Sequence, residues 1–264
     1  MWLKGDTVFI SIPFTWELPI IREYLLQRNM HWNKAIVGGP AVKLMPEYLT
    51  GMDWVTVGTD MPGVLQRVNP SATKTTTGCI RKCAFCGVPK FEGDLVELGD
   101  WPDFPVICDN NLLAASGSHF DRVMDRLEVH GWADFNQGID SRLLTDHHAE
   151  RFSRIRPMIR FALDNMTYAD QWEDSFTMLK RHKIPNSCIR SYAIIGFDSG
   201  VDEAWERCKW IESHGIKVLP MWFHSLHALK KNQVTRKQKE LGWNDYERRR
   251  IMQWFYKHKE AVAA

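Results

Sequence analysis

Short apolar runs alternate with amphipathic stretches over the first seventy residues of the chain. Uncharged apolar runs predict strands at Val8–Ile12, Ala35–Val37 and Trp54–Val57. Between the first two, Trp16–Gln27 has helical spacing and carries Pro19 in its first turn, where proline is tolerated. This alternation predicts a small α/β lobe equivalent to half of a doubly wound, Rossmann-like unit.

A second series of strands and helices begins at Lys74. Strand candidates alternate with helical patterns such as Ser116–His130, Tyr168–His182 and Val201–His214. The six strand candidates are Lys74–Thr77, Val106–Cys108, Asp134–Asn136, Ile159–Leu163, Ser191–Ile195 and Val218–Phe223. Six β/α repeats predict a partial (β/α)6 TIM-like barrel with its chemistry at the C-terminal ends of the strands. We therefore expect an α/β fold in three parts: a lobe over 1–70, a barrel over 71–228 and a helical extension over 229–264.

The composition is that of an ordinary globular protein. Of the 264 residues, 44% are apolar and 25% are charged, which argues against disorder and against a coiled coil. The chain contains no run of eighteen apolar residues, and Met1–Gly5 lead into a strand-like segment without a signal-peptide pattern. We therefore expect a cytoplasmic protein that does not bind membranes.

Charge is distributed unevenly along the chain. The formal net charge is +2, but Lys230–Lys259 carries ten Lys and Arg against three acidic residues. Arginines 248–250 in this segment are followed by Trp254, Phe255 and Tyr256, and such a mixture suits a nucleic acid or another polyanion. The alternative is an amphipathic closing helix, with Ile251, Trp254, Phe255 and His258 facing the barrel and the cations in solvent.

Three cysteines lie within eight residues directly after the first predicted barrel strand. Cys79, Cys83 and Cys86 are separated by three and then two residues, with Arg81 and Lys82 between them. Three thiolates on one loop can ligate three irons of a 4Fe-4S cluster and leave the fourth iron open. A structural zinc site is the alternative, and it needs a fourth ligand such as His119 or His130.

The cysteine loop resembles the signature of the radical S-adenosylmethionine (radical SAM) superfamily, C-x3-C-x-aromatic-C, with Phe85 as the aromatic residue. The resemblance extends over roughly 74–226 in the order of elements. It implies that SAM chelates the open iron of a 4Fe-4S cluster held by Cys79, Cys83 and Cys86. Reductive cleavage of SAM would then give methionine and a 5'-deoxyadenosyl radical that abstracts hydrogen from the substrate. The family also requires an electron donor such as flavodoxin or ferredoxin.

The resemblance assigns SAM contacts to residues that end the predicted strands. Asp109, Asn110 and Asn111 stand where the family holds the SAM amine, although a turn or helix cap is the alternative for all three. The resemblance assigns contacts with the SAM ribose and carboxylate to Gln137, Asp140, Arg142 and Asp164. It assigns the backbone that lies beside the adenine to Ile195 and Gly196. A surface salt bridge for Arg142 and a buried apolar strand for Ile195 remain open alternatives.

His224 and Ser225 follow the sixth predicted strand, where a substrate would lie. They are candidates for catalytic substrate contact or proton transfer, against the alternative of a hydrogen-bonded core histidine. The widely spaced Cys108, Cys188 and Cys208 are expected to be buried apolar residues.

The N-terminal lobe resembles a shortened cobalamin-binding domain, because Gly38, Gly39 and Pro40 follow a strand there. The axial-ligand pattern Asp-x-His-x-x-Gly is absent: Asp146 and His148 have its spacing, but Arg151 replaces the glycine. We therefore do not expect cobalamin binding. Two functions remain: a radical SAM enzyme of unknown substrate, or a non-catalytic metal-binding or nucleic-acid-binding module with a structural zinc or iron-sulfur site.

Overall fold

The computed structural model describes residues 1–27, 32–58 and 61–257, which form two compact units. The smaller unit contains Met1–Pro70, Cys83–Gly93 and His224–Gln233. The larger unit contains Ser71–Lys82, Asp94–Phe223 and the chain from Val234 onward.

The smaller unit is built on a four-stranded sheet with strand order β1-β2-β3-β4. Strands β2 to β4 are parallel, as the alternation of strand and helix predicts, and α1 connects the first two. Strand β1 pairs antiparallel with β2 and was not predicted, because three residues are too few to show a period. The elements are β1 Trp2–Lys4, β2 Thr7–Ser11, α1 Leu18–Leu26, β3 Lys34–Gly38, α2 Pro40–Leu44, β4 Val55–Val57 and α3 Val64–Val68.

Close backbone contact explains the glycine that follows β3. Gly39 has φ +99°, and a Cβ at this position would lie 2.7 Å from the carbonyl oxygen of Ile12. The same oxygen accepts the N–H of Ala41 at 3.0 Å, which holds the start of α2 against the end of β2. The glycine that prompted the comparison with cobalamin-binding domains thus has a local packing role.

The larger unit is built on a six-stranded parallel sheet with strand order β5-β8-β9-β10-β11-β12, so its strands follow one another in chain order. The predicted α/β class is therefore confirmed. The strands are β5 Ala72–Thr73, β8 Val106–Ile107, β9 Trp132–Phe135, β10 Arg156–Ala162, β11 Ile189–Ile195 and β12 Lys217–Trp222. The helices between them are α5 Gly117–His130, α6 Asp146–Ser153, α7 Ala169–Arg181 and α8 Val201–Ser213.

The predicted strand Lys74–Thr77 differs most from the structure. Strand β5 ends at Thr73, and Thr76–Thr77 forms β6, which pairs antiparallel with β7 at Val96–Glu97. The interruption falls at Thr75, whose N–H and hydroxyl both bind the side chain of Asp109 instead of a neighbouring strand. Helix α4, Val88–Phe91, lies between these two strands in the chain.

Helix α5 shows why the long secondary-structure elements can be predicted from the sequence. Ser116 caps its N-terminus by accepting the N–H of His119, and Gly131 ends it with φ +69°. Phe120 and Met124 lie on its buried face among the apolar side chains of the core. The helix predicted from its helical spacing at Ser116–His130 is therefore confirmed.

The C-terminal part forms α9, Arg236–Glu240, and α10, Asp245–Lys257. Ile251 and Phe255 of α10 are buried as expected, but Trp254 is wrongly assigned to the buried face because its side chain is 42% exposed. The expectation that the cations lie in solvent is wrong for Arg248, whose side chain is 13% exposed and faces the Trp222 ring. His258 lies outside the described residues. Within the described ranges, no helix is long and apolar enough to span a bilayer.

Candidate functional site

Solvent exposure divides the six cysteines into two groups. Cys108, Cys188 and Cys208 are buried, and burial raises the pKa of Cys208 to about 12, as suits an inert thiol. The three motif cysteines are partly exposed: Cys79 lies in the larger unit, and Cys83 and Cys86 lie in the smaller. Over the residues that the structure describes, no three or more His, Cys, Asp or Glu side chains form a metal-ligand group.

Hydrogen-bond donors converge on the sulfur of Cys79. The backbone N–H of Arg81 lies 3.3 Å from Sγ, and the side-chain amide of Asn111 lies 3.7 Å from it. The neighbouring Asn110 donates to the carbonyl oxygen of Gly78 at 3.3 Å. Asn110 and Asn111 follow β8, so this strand end supports the cysteine loop at two successive residues. Such N–H···S contacts stabilise negative charge on a thiolate.

Asp140 connects the groups around Cys79. Its carboxylate accepts Nε of Arg81 at 2.9 Å, Nε of Arg142 at 2.7 Å and Nδ2 of Asn111 at 3.3 Å. Burial alone would raise the pKa of Asp140, but the hydrogen bonds and charges of Arg142 and Arg81 lower it. The carboxylate is therefore ionised and offsets only one of the two cations beside it. Arg142 is an ion-pair residue here, and its guanidinium also lies over the ring of Tyr168.

Asp109 contacts a different partner from its two asparagine neighbours. Its Oδ1 accepts the N–H of Thr75 at 2.6 Å, and its Oδ2 accepts the Thr75 hydroxyl at 2.5 Å. Burial raises the pKa of Asp109, and the hydrogen bonds from Thr75 act against that rise. Both carboxylate oxygens are thus engaged in joining the end of β5 to the end of β8.

His119 extends this buried network into α5. Its Nε2 lies 3.2 Å from the hydroxyl of Thr75, and its Nδ1 lies 3.1 Å from Nη2 of Arg122. Because the Thr75 hydroxyl donates to Asp109, Nε2 of His119 is the donor to Thr75 and Nδ1 the acceptor from Arg122. Both ring nitrogens are therefore occupied, which makes His119 a poor fourth zinc ligand. The other histidine considered for that role, His130, contacts Asp103 at 3.1 Å.

The remaining predicted SAM contacts fall on the later strands of the larger sheet. Asp164 follows β10 and accepts the N–H of Ile194 at 2.9 Å, and burial raises its pKa. Gly196 follows β11 with φ +75°, and a Cβ there would lie 2.3 Å from the Trp222 ring. Ile195 is fully buried in β11, which agrees with the alternative interpretation of this residue as part of a buried apolar strand. Gln137 is exposed, and its amide contacts Asn136 at 3.4 Å.

In the smaller unit, Cys83 and Cys86 lie in a turn closed by the N–H of Cys86 and the carbonyl of Cys83 at 3.0 Å. Phe85 lies within this turn and is partly buried. His224 packs against the ring of Trp16 at 4.5 Å, and its Nε2 accepts the N–H of Asn232 at 3.0 Å. Ser225 is exposed, and its hydroxyl accepts the N–H of His227 at 3.4 Å.

Sequence reasoning missed three groups at these sites. Thr75 and His119 complete the Asp109 network, and no spacing in the sequence links residues so far apart. Gln238 lies in the basic extension, yet it is buried and donates to the carbonyl oxygen of Gly196 at 2.8 Å. Phe14 and Trp16 stack in the smaller unit, and the available signal was their position just after an apolar strand.

The residues that imitate a cobalamin axial pattern are engaged elsewhere in the larger unit. Asp146 contacts His182 at 3.0 Å, and His148 completes a capping box with Thr145 at the start of α6. Arg151 is buried and bridges three acidic residues of α5: Asp121, Asp125 and Glu128. Each of the three therefore has a structural role in holding α6.

Comparisons with known proteins give no relative for this chain: no family model matches it, and no curated protein matches it.

Proposed function

We propose that this chain is a radical SAM enzyme. The observation that carries the proposal is the spacing of Cys79, Cys83 and Cys86, with Phe85 before the last cysteine, close behind the first strand of a six-stranded parallel sheet. Three closely spaced thiolates suit three irons of a 4Fe-4S cluster, and the fourth iron is then open to a small ligand.

The state of the cysteines supports this assignment. The three motif thiols are partly exposed, whereas the other three are buried. Ligands of a cluster must be deprotonated, and the N–H groups of Arg81 and Asn111 stabilise charge on the sulfur of Cys79. The donor set therefore fits an iron-sulfur cluster. It fits zinc less well, because both ring nitrogens of His119 are taken.

The topology of the larger unit supports the finer fold assignment, a partial (β/α)6 TIM-like barrel. Its six parallel strands follow chain order, and right-handed crossovers between successive parallel strands place all connecting helices on one face. A sheet wound in one direction tends to curl toward a barrel, with ligands at the carboxyl ends of its strands. Asn111, Asp140 and Asp164 all lie beyond such strand ends.

When bound, the reduced cluster supplies the electron that cleaves SAM to methionine and a 5'-deoxyadenosyl radical. The residues of this chain bind and orient SAM. Oδ1 of Asn111 is buried without a hydrogen-bond donor, so it suits the SAM ammonium group. Arg142 is partly exposed beside Asp140 and suits the SAM carboxylate. An external one-electron donor such as a flavodoxin or ferredoxin completes the cytoplasmic reaction.

His224 is assigned to the substrate. Because its Nε2 accepts the N–H of Asn232, the neutral ring carries its proton on Nδ1. His224 is the proposed catalytic contact to the substrate, and the exposed Ser225 hydroxyl lies next to it in the chain.

The proposal is tested by anaerobic reconstitution with iron and sulfide. We expect about four irons per chain and formation of 5'-deoxyadenosine after addition of SAM and dithionite. Cys83→Ala should lose the cluster absorbance and SAM cleavage, because it removes the only protein ligand of one iron.

Cys188→Ala is the matched control, since Cys188 is buried away from solvent, and it should keep both properties. One bound zinc per chain without SAM cleavage would instead indicate a non-catalytic metal-binding module. Retention of an intact cluster in Cys83→Ala would contradict the ligand assignment.

A further inference from the structure

A stack of three rings lies in the smaller unit. The rings of Phe14 and Trp16 are nearly parallel and stacked, with centroids 4.4 Å apart and an interplanar angle of 9°. The centroid of the Trp16 ring in turn lies 4.5 Å from that of the His224 ring, and these two rings are tilted by 46°; we call the three rings together the three-ring stack. Phe14 is thus at one end of the three-ring stack, and the other end is His224, the residue proposed to contact the substrate.

Phe14 is the exposed member of the three-ring stack. Its side chain is 48% exposed although one ring face rests on Trp16, so the exposure falls on the rest of the ring. A phenylalanine in solvent gains little from packing, and water contact with its apolar surface costs free energy. The segment is otherwise well held, because the adjacent Thr15 is buried and its hydroxyl donates to the carbonyl of Ala228 at 2.8 Å.

The three-ring stack lies close to the cysteine turn of the same unit. A Cβ on Gly87, the residue after Cys86, would lie 3.3 Å from the side chain of Leu226. Leu226 follows His224 by two residues, so the chain that carries the stacked histidine also packs against the cysteine turn. Phe14 itself lies just beyond the carboxyl end of β2, the edge at which open parallel sheets bind ligands.

Two lysines follow closely in the chain after a residue that contacts the Phe14–Trp16 segment. Lys230 and Lys231 follow Ala228, the residue that accepts the Thr15 hydroxyl, by two and three positions. Both lysines are exposed, and within the described part of the chain neither forms an ion pair. The segment His224–Gln233 contains no acidic residue, so their charge is not offset locally.

We propose that the three-ring stack is a nucleotide-binding site, in which a base stacks on Phe14 and a phosphate binds Lys230 and Lys231. An exposed aromatic face attracts any planar ring, and the two exposed lysines of the segment that begins at His224 would favour a ring that carries an anion. Aromatic platforms with flanking cations are the usual means of holding single-stranded nucleic acid. If the site binds the substrate, this inference rests on the proposed function and gives a nucleotide as the substrate class. Nucleotide binding itself can be measured without any catalytic turnover.

The experiment measures binding of a fluorescently labelled oligouridylate to the full-length, anaerobically reconstituted protein, with uridine monophosphate as a second probe. A pyrimidine is used because an adenine probe would compete for the proposed SAM site. Phe14→Ala should weaken binding by roughly 5- to 100-fold, as expected for loss of one stacked base. Phe14→Tyr should restore it. The double variant Lys230→Gln/Lys231→Gln should lower the slope of log affinity against log salt by about 0.7 for each phosphate that the two lysines neutralise.

The charge-matched control is Lys4→Gln/Lys34→Gln, which removes two exposed lysines of the same unit outside the three-ring stack and should leave the slope unchanged. Circular dichroism and iron content establish that each variant is folded. Tight binding of the oligouridylate alone supports a nucleic-acid strand as the source of the nucleotide, and equal binding of the monophosphate supports a free nucleotide.

Absence of uridylate binding in a protein that holds its cluster and cleaves SAM would overturn this inference and leave the proposed function standing. Equal affinity of wild type and Phe14→Ala would also overturn it. Uridylate binding that depends on Phe14 in a protein without a cluster would support the nucleotide site while the radical SAM assignment fails.

Discussion

A single asparagine performs two tasks beside the cysteine loop. The Nδ2 group of Asn111 contacts both the sulfur of Cys79 and the carboxylate of Asp140, and its Oδ1 is buried without a donor. Asp140 in turn is held by Arg81 and Arg142, so the amide of Asn111 has one preferred orientation. Hydrogen bonds to a cluster sulfur make reduction easier, because negative charge on sulfur increases when the cluster gains an electron.

Replacing Asn111 with leucine should therefore lower the reduction potential of the proposed cluster. Loss of one hydrogen bond of about 1 kcal/mol corresponds to roughly 40 mV for one electron. The measurement is an anaerobic redox titration followed by electron paramagnetic resonance. Asn110→Leu is the matched control, because the Asn110 amide donates to the carbonyl oxygen of Gly78. Equal shifts in the two variants would contradict a specific role for Asn111.

At the scale of elements, one buried polar network joins β5, β8 and α5. Thr75 follows β5, Asp109 follows β8, and His119 lies in the first turn of α5. Burial lowers the pKa of His119, and Arg122 acts in the same direction, whereas Glu97 and Asp109 raise it. The balance favours the neutral ring, which the hydrogen bond from Arg122 to Nδ1 also requires.

The network predicts a pH dependence of stability. In the unfolded chain His119 binds a proton below its ordinary pKa of 6.5, whereas the folded protein resists protonation. The unfolded state therefore binds more protons in that range, and the free energy of unfolding falls as the pH drops below 6.5. The raised pKa of Asp109 acts in the opposite sense at pH values above 3.8.

His119→Gln should flatten the fall in stability, measured by urea unfolding at several pH values between neutrality and about pH 5. A single proton contributes at most about 1.4 kcal/mol per pH unit, so this is the ceiling for the difference in slope. His130→Gln, at a more exposed histidine of the same helix, is the control and should keep the wild-type slope. An unchanged slope in His119→Gln would show that the folded and unfolded states protonate this residue alike.

At the scale of the whole molecule, the basic C-terminal part is less available to a polyanion than its charge implies. Arg248 bonds Asp245 and faces Trp222, and Arg250 bonds Glu247. The uneven charge of the sequence is therefore partly offset within α10. The uncompensated lysines lie earlier, in the segment His224–Gln233 of the smaller unit.

Removal of the proposed cluster should lower the stability of the whole protein. A ligand that binds only the folded chain stabilises it by about 2.7 kcal/mol at a hundredfold excess over its dissociation constant. We therefore expect chelator-treated protein to unfold several degrees below reconstituted protein in anaerobic calorimetry. Cys83→Ala should unfold at the same temperature before and after chelation, and Cys188→Ala should behave like the wild type. A wild-type midpoint that is insensitive to chelation would contradict cluster binding by the folded chain.

The sequence by itself determined the features that depend on near neighbours. Helix α5 follows from an apolar spacing and two end signals within sixteen residues, from Ser116 to Gly131. The parallel order of the larger sheet follows from the regular alternation of strands and helices. The cysteine spacing that carries the proposed function is likewise local, because Cys79, Cys83 and Cys86 belong to one loop. Patterns of this kind are readable because helix and strand periods are properties of the backbone itself.

Only the tertiary structure decided which side chains meet. Asp109 and Asn111 are two residues apart, yet Asp109 bonds Thr75 and Asn111 approaches Cys79. Each contact is made with a residue that follows the neighbouring strand and not with a residue nearby in the chain. Gln238 reaches Gly196 across forty-two residues, and Trp16 meets His224 from more than two hundred residues away. Such contacts depend on how distant elements pack, and the period of a single segment holds no information about its distant neighbours.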